Sequence, residues 1–421
     1  PEGPSISVLE PSAGTPLADP QAAVAAALAA PIGAPPLAEV ARGKRDAVVV
    51  ISDKTRPIPY ADVLPPLLAT LEGAGIARER IEILVATGLH RPNTPAELAE
   101  MTSPAIVAGY RIRNHDARDA AAHVHRGRTA RGTEVWIDRG YVDAELKVIT
   151  GLIEPHLMAG FSGGRKAVAP GLAAVETMRS LHGTAMLEDH IGPGIVAGNP
   201  FHAELIGIAR QVGVDCMVDV SIDRRRRITG VFAGDLEAAH AAGAAAVERH
   251  VRADLDRPAD IVVTSAAGFP LDDTYYQAIK GLVAALNVVR RGGTIILAAA
   301  ITEGLGSAEF QHLLREADSP EGSFARISRA DFFSIDQWML QHLCQVRRKA
   351  EVVVVSHGLP DSVSLAPFAT RAASVEAALA AALARHGRPA HVAVLPQGPY
   401  VLATVRGRKL SLGRAWADEA A

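Results

Sequence analysis

Asp46 to Ser52, DAVVVIS, is a nearly unbroken apolar run that stops at the polar group Asp53-Lys54-Thr55-Arg56-Pro57. A short β-branched run with such punctuation reads as a buried strand. Tyr60 to Ala74 then reads as a helix, Ile81 to Ala86 as the next strand, and Thr87-Gly88-Leu89-His90-Arg91-Pro92 as the loop at its carboxyl end. Strands alternating with helices indicate a parallel sheet covered by helices. Ligands of such sheets bind outside the carboxyl ends of the strands, so both polar loops fall where a site is expected.

The pattern continues outward. Thr94 and Glu97 flank Pro95 as a capping box. Leu146 to Thr150 reads as a strand entering a glycine-rich segment, Cys216 to Ile222 and Ile228 to Phe232 as strands, and Ala238 to Val247 as a helix. A second α/β pattern starts at Asp260: strand Ile261 to Ser265, a Gly268-Pro270 turn, a helix from Asp273 to Val289, and strand Thr294 to Ala299. Strands Glu351 to Ser356, His391 to Leu395 and Tyr400 to Val405 complete it, and Arg252 to Pro258 reads as a linker. A chain of 421 residues exceeds what one core usually organises. The expectation is two α/β domains with mainly parallel sheets and an active-site cleft between them. Residues 1–253 form the cofactor-binding and catalytic domain, and 254–421 the substrate-contacting one.

A formal net charge of -3 leaves no general basic surface for nucleic acid or acidic lipid. Arg224 to Arg227, beside Asp223, reads as a solvated turn. Cys216 and Cys344 are too few and too isolated for a disulfide framework or a zinc-thiolate cluster, and read as buried reduced thiols. No apolar run reaches the roughly 20 residues of a membrane helix. The start lacks the features of a signal peptide, so a cytoplasmic location is expected. The sequence opens at Pro1 without Met, and a few residues of a first strand are expected to be absent.

Several polar segments carry possible chemistry beside plainer readings. Asp53 and Arg56 can form an ion pair closing the turn; with Lys54 and Thr55 they also offer two cations and a hydroxyl to a phosphate or carboxylate. His90 and His156 sit in proline-fixed turns of separate loops, and two imidazoles can serve both faces of one carbon. Gly160, Gly163 and Gly164, with Ser162, Arg165 and Lys166, form a loop open to an anion, but not a Walker loop. Lys166 precedes an apolar stretch that can lower its pKa and make it a nucleophile, against the default of a solvated lysine. His182 can bind a metal, yet ordinary zinc spacing is absent, which points to a metal held by a cofactor. Gln277 and Lys280 share one face near a helix start, where they can grip a carboxylate or simply be solvated. Trp338 reads as a core or cleft-wall aromatic.

In this order the segments resemble the nickel-pincer lactate racemase family. The matching stretches are Ser52 to Pro57, Thr87 to Pro92, Asn114-His115-Asp116, EPHLMAGFSGGRK from Glu154 to Lys166, His182, and Tyr276-Gln277 with Lys280. The resemblance implies a racemase or epimerase of 2-hydroxy acids. Its cofactor would be a nickel-pincer nucleotide, Ni(II)-pyridinium-3,5-bisthiocarboxylate mononucleotide, loaded by separate cofactor-synthesis enzymes. It places Lys166 as the thioamide tether, His182 on nickel, and Asp53, Lys54, Thr55 and Arg56 against the cofactor and reacting centre. His90 and His156 become the acid/base pair, and Arg56, Gln277 and Lys280 the carboxylate contacts. Because the C2 hydrogen is hardly acidic, it would leave as hydride while a histidine takes the hydroxyl proton. Two other readings stand beside this one: a divalent-metal hydrolase using His90, His115, His156 and His182, and a non-catalytic sugar-acid or nucleotide-binding protein. Which hydroxy acid is the substrate, and the oligomeric state, stay open.

Overall fold

Six strands form the first sheet, and their order decides where a ligand can sit. Across it run Arg111–Asn114, Ile81–Ala86, Ala47–Ser52, Leu146–Leu152, Cys216–Ile222 and Ile228–Gly234. All neighbours are parallel except the last pair. Chain order therefore runs outward one way from Ala47–Ser52 and the other way from Leu146–Leu152. Their junction is the topological switch point, where the following loops diverge and leave a crevice. The computed structural model describes residues 3–12, 14–187, 190–387 and 389–406.

DAVVVIS forms the central strand because its side chains find apolar partners on both faces. Val49 and Ile51 pack with Tyr60, Leu64, Leu67 and Leu71 of helix Tyr60–Gly73, and Val48 and Val50 join Ala167, Val168 and Leu172 on the other side. Each is fully or almost fully buried, worth about 1.5–3 kcal/mol per large aliphatic side chain. The capping box forms as expected: Thr94 Oγ1 accepts from Glu97 N, and the Glu97 carboxylate from Thr94 N.

The second sheet is entirely parallel, in the order Ser5–Val8, His391–Leu395, Ala259–Ser265, Val289–Ala298, Ala350–Val355 and Thr370–Arg371. Its edge strand is the start of the chain, so the two sheets are not separated by one cut in the sequence. Nor is Arg252 to Pro258 a plain linker. Arg252–Leu255 is a strand paired in parallel with Leu402–Val405, and Leu255 is buried. Backbone groups passing between two packed bodies lose water and need partners, which this ladder supplies. Cys216 and Cys344 are free and buried, and the Arg224–Arg227 turn is exposed with Arg227 paired to Asp223. Among the described residues no helix is long and apolar enough to cross a membrane.

Helix Tyr275–Ala285 is shorter than the expected Asp273 to Val289, because Thr274 caps it by accepting from Gln277 N. It lies so close to the second sheet that a Cβ on Gly281 would come within 2.4 Å of the Ser265 carbonyl oxygen. Gly281→Ala should therefore cost about 1–3 kcal/mol by overpacking and displace the neighbouring Gln277 and Lys280. A thermal melt superimposable on the wild type would contradict this close approach.

Candidate active site

The adjacent parallel strands Ala47–Ser52 and Ile81–Ala86 deliver the two polar loops side by side. Asp53, immediately after Ser52, is buried, and its Oδ1 accepts from Thr55 N at 3.1 Å and Thr55 Oγ1 at 2.6 Å. Its Oδ2 lies 2.6 Å from His90 Nδ1. Burial pushes the Asp53 carboxyl up, but His90, Thr55 and Arg56 together hold it below the ordinary value. An ionised carboxylate only accepts, so Nδ1–H of His90 is the donor, and in the neutral ring the lone pair is then on Nε2. The His90 side chain is 42% exposed and faces the cavity.

His156 is backed differently. Its Nδ1 accepts from Met158 N and Ala159 N, both at 3.1 Å, which leaves the ring proton on Nε2. Burial, with Lys166, Arg56 and Lys280 adding repulsion, drives its pKa well below 6.5. The same burial, with Arg56, Arg165 and Lys280 nearby, lowers the Lys166 ammonium well below 10.5. Both shifts run toward the uncharged form, and an uncharged lysine is a nucleophile.

The loop carrying Lys166 rests on Asp219 and His240, which sequence reading did not single out, and on Arg165. Asp219 lies on the neighbouring strand opposite Gly151. A Cβ on Gly163 (φ +80°) would fall within 2.3 Å of its Oδ2, so only glycine fits there. Burial pushes the Asp219 carboxyl up to about 7, against the pull of Gly164 N–H and Arg165. Arg165 is wholly buried, donates from Nη2 to the carbonyls of Ala159 and Phe161 at 2.8 Å each, and meets His240 through Nη1. A lone aspartate inside the apolar strand CMVDVSI was the available signal. Glu154 was also missed as a charge partner: its Oε1 lies 3.1 Å from Arg56 Nε, so Arg56 pairs there and not with Asp53.

His182 follows a short helix, with Nδ1 3.3 Å from the Met178 carbonyl oxygen and the ring against Trp338, centroids 4.3 Å apart. Nδ1–H is the donor, so Nε2 presents a lone pair, the arrangement of a metal-ligating histidine. Burial, then Lys166, push its pKa down to about 3, which keeps the ring neutral. From the second half of the chain come Gln277, with Oε1 buried and unpartnered, and Lys280, whose pKa burial and Arg56 lower against the pull of Glu154 and Asp53. Trp338 is a cleft-wall residue, its Nε1 donating to Tyr276 OH at 2.8 Å.

One cavity of about 170 Å³ is lined by Asp53, Thr55, Arg56, His90, His156, Lys166, His182, Gln277 and Lys280. Lys54 is not among them. It turns to Glu97 at 3.2 Å and Glu303 at 4.0 Å, because two carboxylates outside the cavity offer a better partner than a cluster of cations. His115 is also elsewhere, buried between Asp138 Oδ2 at 3.2 Å and the Ala173 carbonyl at 3.3 Å. The four-histidine arrangement of a divalent-metal hydrolase is therefore not assembled. Among the described residues no three His, Cys, Asp or Glu side chains gather in a way that would hold a metal ion.

Comparison with known proteins agrees with this layout. A family model described as the lactate racemase N-terminal domain matches residues 1–193, and one described as the lactate racemase C-terminal domain matches 255–403. A curated lactate racemase of Lactiplantibacillus plantarum is 35% identical over 371 residues, 87% of each chain. One of Thermoanaerobacterium thermosaccharolyticum is 33% identical over 379 residues, 89% of this chain and 88% of that one. The solved lactate racemase apoprotein from T. thermosaccharolyticum superimposes with a TM-score of 0.87 at 32% identity, covering 95% of this chain and 94% of that one. A Thermotoga maritima protein shares the fold with a TM-score of 0.72 at 17% identity, over 94% of this chain and 100% of its own.

The Lys166 shift has a consequence for stability. Between its depressed folded value and the ordinary 10.5, the unfolded chain binds more protons than the folded one, so stability rises with pH through that window. Lys166→Met should accordingly be more stable than the wild type by about 1–3 kcal/mol near neutral pH, the gain shrinking as pH approaches 10.5. Denaturant melts at several pH values measure this; a gain that grew with pH would refute the shift.

Proposed function

The chain belongs to the lactate racemase family and is an isomerase, and we propose that it inverts C2 of a lactate-like 2-hydroxy acid by proton-coupled hydride transfer. The observation that carries this reading is that His90 and His156, from separate loops, face one cavity with Arg56 and Lys280. Two proton-transferring groups and a carboxylate grip are what inversion at one carbon requires.

The residues present fit a nickel-pincer nucleotide. Lys166 offers an amine whose proton burial loosens, suited to a covalent tether, and His182 a neutral Nε2 for the metal. The lack of a protein-only metal cluster among the described residues agrees with a metal brought in by its cofactor. Thr55, Gly88 and Gly171 line the same cavity. When bound, that group would supply the acceptor and donor for hydride at C2. Separate cofactor-synthesis enzymes would load it.

The chain's own residues manage protons and position. Arg56 and Lys280 hold the substrate carboxylate, and Gln277 Oε1, still unpartnered, is free to accept from the substrate. His90, its Nδ1–H fixed by Asp53, takes the hydroxyl proton at Nε2 as the C2 hydride leaves. The resulting 2-oxo acid turns about its held carboxylate and presents the other face. His156, once it has gained a second proton at Nδ1, gives a proton from Nε2 to the carbonyl oxygen as C2 regains hydride and is left neutral, while His90 releases the proton it took. For the opposite enantiomer His156 must accept at Nε2, so its Nδ1 must give up the two backbone donors. A cleft built from both halves keeps water from the intermediate.

In cofactor-loaded protein, a screen of enantiopure 2-hydroxy acids read by solution chirality tests the reading, with lactate the first candidate. Activity on none of them would refute it. His90→Asn and His156→Asn should each lower kcat by about 10²–10⁴-fold. Because His90 and His156 are backed so differently, kcat should differ between the two enantiomers. KM should differ by the same factor, since enantiomers have equal free energy and kcat/KM must match in both directions.

A further inference from the structure

Glu154 stands inside the cluster of cations that the proposed reaction uses, yet that reaction gives it no task. Its Oε1 engages Arg56 Nε at 3.1 Å, with the two side chains only 12% and 16% exposed. Its Oε2 is shielded from solvent and has no hydrogen-bond partner. An unpaired oxygen on a buried carboxylate is costly. Burial raises the Glu154 carboxyl above its ordinary value, and Arg56, Lys280 and Lys166 pull it back toward the charged form that the Arg56 contact requires. Arg56, Glu154, His156 and Lys280 also share a small cavity of about 30 Å³ beside the main one, so these charges face a common space.

The Arg56 guanidinium is already largely committed. Nε is held by Glu154, and Nη1 donates to the Thr55 carbonyl at 3.2 Å. The side-on fork of Nε and Nη2 is therefore taken up, and an incoming anion meets Nη2 and the second Nη1 hydrogen. We propose that Glu154 is a resident counter-carboxylate and positioning residue, which orients Arg56 and moderates the grip of Arg56 and Lys280 on the substrate carboxylate. This rests on the racemase reading above.

Moderation has a kinetic rationale. Binding that is equally strong in ground and transition states lowers KM without raising kcat. The carboxylate here is the pivot on which a 2-oxo acid turns and from which either enantiomer must leave. Arg56 and Lys280 without a counter-charge would hold it too firmly for both tasks.

The test separates charge from position. Glu154→Gln keeps a carbonyl acceptor for Arg56 Nε but removes the negative charge, whereas Glu154→Ala removes both. Pyruvate, titrated into cofactor-free protein at fixed ionic strength and followed by NMR, should bind about tenfold more tightly to E154Q than to wild type. E154A should bind more weakly than E154Q because Arg56 is no longer aimed. In loaded enzyme, E154Q should lower KM and kcat together. Pyruvate affinity in E154Q equal to or below wild type would overturn the proposal, as would parallel losses of affinity and Tm in both variants, the mark of a purely structural prop. The pyruvate titration needs no cofactor, so it decides the role of Glu154 even if no hydroxy acid is racemised. A lack of turnover by loaded wild type would refute the racemase reading instead.

Discussion

Arg56, Lys166 and Lys280 are drawn out of water around one cavity, and the rest of the site follows from that crowding. Desolvation works against each positive charge, and the others add repulsion, so Lys166 gives up its proton readily and His156 resists taking one. Glu154 and Asp53 are the acidic groups that offset the cluster, and both sit on the loops after the two central strands. The fold makes this possible without motif-level metal or nucleotide signals. A sheet whose strand order reverses between Ala47–Ser52 and Leu146–Leu152 opens a crevice, and the loops there inherit the chemistry.

The two histidines show how backing sets a tautomer. A carboxylate behind His90 leaves Nε2 a proton acceptor, and two backbone amides behind His156 leave Nε2 a donor. The difference lies in what surrounds equal rings. It means that one side of the reacting carbon is primed and the other must be prepared.

Much of this was legible in the sequence, for identifiable reasons. DAVVVIS could be placed because a central parallel strand must be apolar on both faces, and its carboxyl-end loop could be placed with it. Nearly every residue singled out for the site does line the cavity, since polar groups after buried strands have few other places to go. Lys54 was misjudged because its partners Glu97 and Glu303 lie far off in the sequence. Glu154 and Asp219 were passed over because a carboxylate's importance depends on which cations share its burial, and that is a three-dimensional property. The strand at Arg252–Leu255 was invisible because its partner, Leu402–Val405, is near the far end of the chain.

The strand Ser5–Val8 pairs with His391–Leu395, and Ile6 and Val8 keep exposed apolar side chains at that edge. During synthesis this strand emerges early and meets its partner almost last. Contacts so distant along the chain close slowly, because the loop entropy must be met before pairing rewards it. Until then His391–Leu395 is itself an unprotected edge able to pair with another molecule. Of the two sheets, the second therefore carries the longer loop closure, because its edge pair joins residues nearly four hundred positions apart, as in Ser7 and Ala393.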